Sequence, residues 1–250
     1  MLRNFLTAFG IFLAVLALPF WVLAQEGNTW RSSDPDTSVA HLPTKMLNDF
    51  PNLFAPENAI PFTVGTWATA GDWLMFDKTN TLAKNLKNLN LDPLWNFGDF
   101  YGEGWVEGFS AVGCWSIGGI AQDAKTQEFG RDLTEALIES TVLVEGLKYS
   151  VGRIRPDGSD NTSFPSGHTI TAFCVAPVFE KYWGPEAGIP AYAFGVVTAA
   201  ARVAGYHHYF SDVVAGATMG YLIGSSVVYG HKDISVSAAP GQVEVKLAFD

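Results

Sequence analysis

An all-α fold, a helical bundle with a small β-hairpin at its C-terminal end, is what three features of this 250-residue sequence predict. Apolar residues make up 48% of the chain and charged residues 16%, which is material for a substantial buried core. From Pro61 to about residue 230, apolar positions recur every three or four residues or fill Gly- and Ala-rich segments that let helices pack closely. Beyond residue 231 the period changes. Val243, Val245, Leu247 and Phe249 alternate with polar or small residues, and Ala239-Pro240-Gly241 supplies a turn.

The elements follow in order. Residues 1–24 read as a signal peptide: Arg3 is the lone charge, the run after it is apolar, and Val22-Leu23-Ala24 offers a cleavage site before Gln25. An uncleaved membrane anchor is the alternative, since the run approaches the ~20 residues that span a bilayer. Either way the body is exported, to the periplasm or to a membrane surface. Residues 25–60, rich in Pro, Asn, Asp and Ser, read as an irregular arm. The domain proper is expected over 61–230. Its first helical segments are "PFTVGTWATAGDWLMF" and "FSAVGCWSIGGIAQDA", with a Gly- and aromatic-rich loop, "LDPLWNFGDFYGEGWVEG", between them. From 131 to 148, Leu133, Leu137, Thr141, Val144 and Leu147 form an apolar stripe, with Glu135, Glu139 and Glu145 mostly off it. Further helices are expected over about 167–180, 190–205 and 212–229, then a tail over 231–250. Charges interrupt most of these runs, and only 213–229 approaches spanning length. A soluble or membrane-surface bundle is therefore expected, with a polytopic protein as the alternative.

A net charge of −10 argues against a nucleic-acid partner, because no basic stripe exists to displace counterions from a phosphate backbone. Cys114 and Cys174 both sit in apolar runs and read as free buried thiols, with a disulfide as the other reading. Asp123, Asp157 and Asp160 have no partners at metal-ligand spacing, so no metal is expected.

Against this acidic background three clusters fall at helix boundaries. The first is Lys148, six residues, then Arg155-Pro156; the second is Pro165-Ser166-Gly167-His168; the third is Arg202, five residues, His208, three residues, Asp212. A phosphoryl group in transfer spreads charge over three oxygens, and fixed cations stabilise it. Lys148 supplies a point charge, and Arg155 and Arg202 supply planar forks. Ser166 and Gly167 open a helix whose free N–H groups form an anion seat. His168 is positioned to protonate a leaving oxygen. His208, oriented by Asp212 on one ring nitrogen, keeps the other as a nucleophile. Taken singly each residue has an ordinary explanation: Lys148 as a helix-dipole partner, the arginines as solvated loop cations, Pro-Ser-Gly as a turn. Arg153 falls outside the pattern and reads as a rim or surface residue. His207 is set aside by its spacing to Arg202 and Asp212.

The three clusters, in this order, resemble the signature of the type 2 phosphatidic acid phosphatase family, which shares its site with bacterial class A acid phosphatases and vanadium-dependent haloperoxidases. The resemblance covers about residues 109–230. It implies the acid phosphatase/vanadium chloroperoxidase type of bundle and hydrolysis of a phosphate monoester or diphosphate through a phosphohistidine, without metal. It implies that Lys148, Arg155 and Arg202 bind the oxyanion with Ser166 and the Gly167 amide, that His168 is the acid, His208 the nucleophile and Asp212 its orienting partner. One position departs: Ala201 stands where the family usually has Ser. Export and the tryptophans Trp30, Trp67, Trp73, Trp95 and Trp105 favour a phosphorylated lipid, such as phosphatidate or an isoprenyl diphosphate, at a membrane surface, with a small phosphate ester as the other substrate class. Two other functions stay open. One is a haloperoxidase with vanadate as cofactor in the same seat, and vanadate is in any case a phosphate mimic; the other is a non-catalytic exported protein that binds lipid or a partner.

Overall fold

The structure, a computed structural model, describes residues 38–75, 80–229, 234–239 and 242–247. The expected leader and Trp30 lie outside these residues. Among the described residues the body is all-helical. The helices are α1 (Leu42–Asp49), α2 (Ala59–Met75), α3 (Thr81–Lys87), α4 (Asp92–Gly102) and α5 (Trp105–Ala121), followed by α6 (Ala124–Val151), α7 (Gly167–Trp183), α8 (Pro185–Ala204) and α9 (Phe210–Tyr229). Two strands, β1 (Ile234–Ala239) and β2 (Gln242–Leu247), pair antiparallel with Val236 opposite Val245.

Two segments differ from expectation. Residues 38–58 are helical turns and the short α1 rather than irregular chain, with prolines at first-turn positions, where a missing N–H costs nothing. The aromatic stretch after Leu91 is α4, also opened by a first-turn proline. Its glycines are packing sites: a methyl at Gly98 would lie 2.8 Å from the Val197 carbonyl oxygen on α8.

The bundle is centred on α7, which packs against α6, α8 and α9; α5 lies along α6, α4 on α8 and α2 on α9. Phe129, Leu133, Ile170, Val175 and Ile223 form the centre of the apolar core. The α7–α9 crossing is very close. Gly216, Gly220 and Gly224 form one ridge of α9, and added methyl groups there would fall 2.8, 2.5 and 2.2 Å from main-chain oxygens of Ser166, Ile170 and Cys174. Only hydrogen fits along this ridge, so the starts of α7 and α9 are held side by side.

The expected apolar stripe of α6 packs inward at Leu133, Leu137 and Val144, but two of the glutamates expected off it are buried as well. Glu135 and Glu139 face inward, whereas Ile138 and Val142 are exposed. Lys45 of α1 enters this interior, 2.9 Å from Glu135 and 2.6 Å from Asp49. Burial raises the Glu139 carboxyl to about 8, so it holds a proton at neutral pH, and raises Glu135 against the opposing charge of Lys45. Asp132 stays ionised, its pKa held down by Lys181, Lys45 and Arg131 against the opposing effect of burial. It accepts hydrogen bonds from Lys181 at 3.0 Å and the Tyr182 hydroxyl at 2.9 Å, which ties α6 to α7. Cys114 and Cys174 are both free thiols. By length and composition one helix among the described residues, α8, is long and apolar enough to cross a membrane. The sequence pointed instead to 213–229; α8 qualifies because it starts at Pro185 and carries Arg202 only in its last turn.

The ridge sets a stability expectation. Gly224→Ala forces α9 off the Cys174 carbonyl and lowers unfolding free energy by about 1–3 kcal/mol, read by chemical denaturation. Gly71→Ala, where nothing lies within 4 Å, is the matched control and leaves stability unchanged or raised.

Candidate active site

The three sequence clusters meet at one end of the bundle, and main-chain hydrogen bonds join them. Helix α6 ends at Gly152, whose φ of 61° stops the helix one turn past Lys148. The loop that follows closes on itself through Ser163 N–H to the Arg153 carbonyl at 2.9 Å. Ser166 N–H then bonds the Asp212 carbonyl at 3.1 Å, and Asp157 N–H the Tyr206 carbonyl at 3.2 Å. Each cluster is thereby pinned to another before any side chain is counted.

His208 is almost fully buried. Its Nδ1 lies 2.7 Å from the Ser163 carbonyl oxygen, which can only accept, so Nδ1 carries the hydrogen. Nε2 then holds the lone pair, and Arg155 Nη1 faces it at 3.2 Å. The expected direct bond from Asp212 is not what sets the tautomer: the carboxylate stands 3.8 Å from Nδ1, near enough to stabilise a charged ring. Burial, then Arg202 and Arg155, lowers the His208 pKa against the raising effect of Asp212, so the ring is neutral at working pH.

Asp212 is completely buried and held from three sides. Arg153 donates to it at 2.6 Å, the Ser163 hydroxyl at 2.5 Å and the Tyr209 N–H at 2.9 Å. The last bond is the reciprocal half of a capping box at the start of α9, with Asp212 at its third position. The Ser211 hydroxyl takes a bond from Arg153 at 2.7 Å.

Arg153 is therefore no surface residue. Its guanidinium lies between two rings, 3.8 Å from the centroid of Trp73 and 4.0 Å from that of Tyr209. The sequence offers one faint signal for it: a spacing of two from Arg155, which in extended chain puts both on one face. Ser163 and Asp99 had no signal.

The three signature cations are each partnered by a carboxylate. Lys148 pairs with Glu145 at 3.2 Å, Arg155 with Asp160 at 2.8 Å and Arg202 with Asp99 of α4 at 2.9 Å. Arg155 also donates to the His207 carbonyl and the Thr162 hydroxyl, both at 3.1 Å. The buried Arg202 Nε has no hydrogen-bond partner among the described residues. Lys148 Nζ lies 3.4 Å from where a Gly167 methyl would be, next to the first turn of α7. Ser166 is buried in the cap position, and its hydroxyl accepts from Thr169 at 3.0 Å, leaving its own hydrogen to donate.

His168 follows Gly167 in that turn and abuts α4, where a methyl at Gly102 would come within 2.7 Å of its Cβ. Burial, followed by the charges of Arg202, His208, Lys148 and His207, lowers its pKa to about 3. Its imidazole is neutral at pH 7, and a phosphate dianion among these cations would reverse the field. His207 is half-exposed, 3.5 Å from Asp157. Ala201 is buried against Gly98, a place with little room for a larger side chain. Among the described residues no group of three or more His, Cys, Asp or Glu is arranged to hold a metal.

Two outcomes follow from this geometry. Arg153→Met leaves the buried Asp212 carboxylate without its ion pair and costs about 3 kcal/mol of stability by urea unfolding, with Arg153→Lys in between. In a heteronuclear NMR titration the His168 ring protonates near pH 3, and saturating inorganic phosphate moves that midpoint upward; an unmoved midpoint contradicts an anion seat beside it.

Comparison with known proteins follows the same residues. Residues 129–235 match the sequence profile described as the PAP2 superfamily. A relative named "Lipid A 1-phosphatase", from Porphyromonas gingivalis, is 34% identical over 115 residues, covering 44% of this chain and 26% of the relative. A "PA-phosphatase related-family protein" of Dictyostelium discoideum is 29% identical over 125 residues, covering 39% of this chain and 46% of the relative. The chain thus matches less than half the length of either relative. The crystal structure of "the first transmembrane PAP2 type phosphatidylglycerolphosphate phosphatase from Bacillus subtilis" aligns over 91% of this chain and 94% of its own, at 21% identity. Its TM-score of 0.33 is too low to support an inference about this chain. The profile match spans Lys148, Arg155, the Ser166-Gly167-His168 turn, Arg202, His208 and Asp212, so all three clusters fall within the part of the chain that is similar to the PAP2 superfamily.

Proposed function

We propose that this protein is a phosphohydrolase acting on a phosphate monoester or diphosphate, with a phosphorylated lipid as its substrate class. The observation that carries the reading is the state of His208. Its Nδ1 hydrogen is committed to the Ser163 carbonyl, so Nε2 carries the lone pair and accepts from Arg155 Nη1 at 3.2 Å, a bond that an oxyanion drawing Arg155 to itself would release. In the proposed step Nε2 attacks phosphorus and the bond from phosphorus to the ester oxygen breaks. The departing oxygen takes a proton from His168. The phosphorylated ring is an imidazolium, and the Ser163 carbonyl and the Asp212 carboxylate at 3.8 Å stabilise it. Water then attacks phosphorus, gives a proton to His168, and releases phosphate with His208 neutral again.

Lys148, Arg155, Arg202, the Ser166 hydroxyl and the Gly167 amide hold the equatorial oxygens in this scheme. His168 has to acquire its proton with the substrate, from a monoanionic ester or from solvent once a dianion is bound, because its pKa lies near 3 beforehand. No metal takes part. A lipid substrate is supported by the names of both relatives and by a surface rich in exposed apolar side chains. Ile60, Val64 and Trp67 on α2 and Trp105, Phe109 and Ile120 on α5 are all largely exposed, more than isolated surface residues account for. The same side chains favour action at a membrane surface, with the protein exported.

The test is chemical. Acid-sensitive phosphate should be trapped on His208 when a labelled ester is quenched at early times. His208→Ala should lose at least about a thousandfold in turnover, His168→Gln should slow leaving-group departure most for poor leaving groups, and EDTA should have no effect. Equal activity of His208→Ala and wild type rejects the nucleophile, and loss in EDTA rejects the metal-free step.

A further inference from the structure

A groove of about 430 Å³ runs between α2 and α9, outside the cluster of catalytic groups. Its walls come from a single face of each helix. On α2 they are Phe62, Thr66, Ala70 and Trp73, spaced four, four and three residues apart, and on α9 Met219 and Leu222 face them. Two of its three threonines turn their hydroxyls away from it: Thr66 donates to the Phe62 carbonyl at 2.7 Å, and Thr218 to the Val214 carbonyl at 2.9 Å. Their hydroxyls are committed to their own helices. A peptide lying here would find almost no hydrogen-bonding partners for its backbone, whereas a hydrocarbon needs none.

One end of the groove is walled by Trp73 and Phe164, whose rings meet edge-on with centroids 5.2 Å apart. Phe164 lies two residues before Ser166 in the loop that carries the anion seat. The Trp73 ring stacks on Arg153, which holds Asp212. The apolar channel therefore abuts the phosphate-handling loop with no layer of protein between. We propose that the α2–α9 groove holds a hydrocarbon chain of the phosphorylated substrate, and that Trp73 and Phe164 separate the chain from the charged head. This rests on the phosphohydrolase reading for the head and adds the place of the tail. The exposed Ile60, Val64 and Trp67 on the same helix give a chain an apolar approach.

The experiment compares wild type with Ala70→Trp, which fills the groove from a residue outside the catalytic machinery. Non-hydrolysable n-alkylphosphonates of increasing length are titrated by calorimetry, and n-alkyl phosphates and p-nitrophenyl phosphate are assayed as substrates. Wild-type affinity should rise by up to about fourfold per added methylene, then level off once the groove is full. Ala70→Trp should flatten that dependence while leaving kcat/KM for p-nitrophenyl phosphate within about twofold. The same length dependence in both proteins overturns the proposal, as does equal loss on soluble and long-chain esters. A chain-end dibromide on the phosphonate adds a readout in the native fold: it should quench tryptophan fluorescence, and Trp73→Phe should lose most of that quenching. Undiminished quenching in Trp73→Phe places the tail elsewhere. If wild type hydrolyses no ester at all, the catalytic reading fails, and the phosphonate titrations still decide whether a chain occupies the groove.

Discussion

Asp212 is a carboxylate with no access to water, and removing such a charge from solvent costs several kcal/mol unless it is fully partnered. Its partners come from three separate places: Arg153 after α6, Ser163 before α7 and the Tyr209 amide at the start of α9. None can satisfy it unless all three segments arrive together. The end of the bundle where the three clusters meet is thus assembled around one charge. His208 acquires its orientation from the same loop, since Ser163 gives its hydroxyl to Asp212 and its carbonyl to the imidazole. The imidazole and its buried carboxylate are thereby set in place as part of folding.

The glycine ridge of α9 supplies the complementary constraint from below. With α7 and α9 in backbone contact, Ser166 and Asp212 lie within a main-chain hydrogen bond of each other. The first turn of α7 and the start of α9 are therefore set at fixed separation by packing, and the side-chain network refines what the backbones have already brought close. Helix α6 adds a polar interior of its own, where burial raises the carboxyls of two glutamates and Lys45 pairs with one of them.

The helices after residue 131 and the residues of the three clusters were legible because they depend on local rules: apolar periodicity, prolines and serines at helix starts, and fixed spacings between charged groups. What was not legible depends on partners far along the chain. Arg153 looks like a loop cation until Trp73 and Tyr209 enclose it from 80 residues before and 56 after. Glu135 and Glu139 look like a solvated face until α1 brings Lys45 into the bundle. The aromatic stretch taken for a loop is α4, because its glycines serve close contact with α8 and not chain reversal. Asp212 was found as the partner of His208, but the atom that sets the imidazole's tautomer is a main-chain carbonyl, and every residue has one.

The signature cations come with resident counter-ions. Glu145, Asp160 and Asp99, each at least 36% exposed, sit against Lys148, Arg155 and Arg202. Seen from a few Debye lengths away, the mouth of the site is close to neutral on a molecule of net charge −10. Such a surface does not draw anions from a distance; it repels an anionic bilayer, and added salt eases the approach. On the proposed function, attraction begins only at contact, when phosphate oxygens replace three carboxylates together. Discrimination among phosphates then lies in how long each stays, and a head group that can displace one counter-ion but not all three departs about as readily as it came.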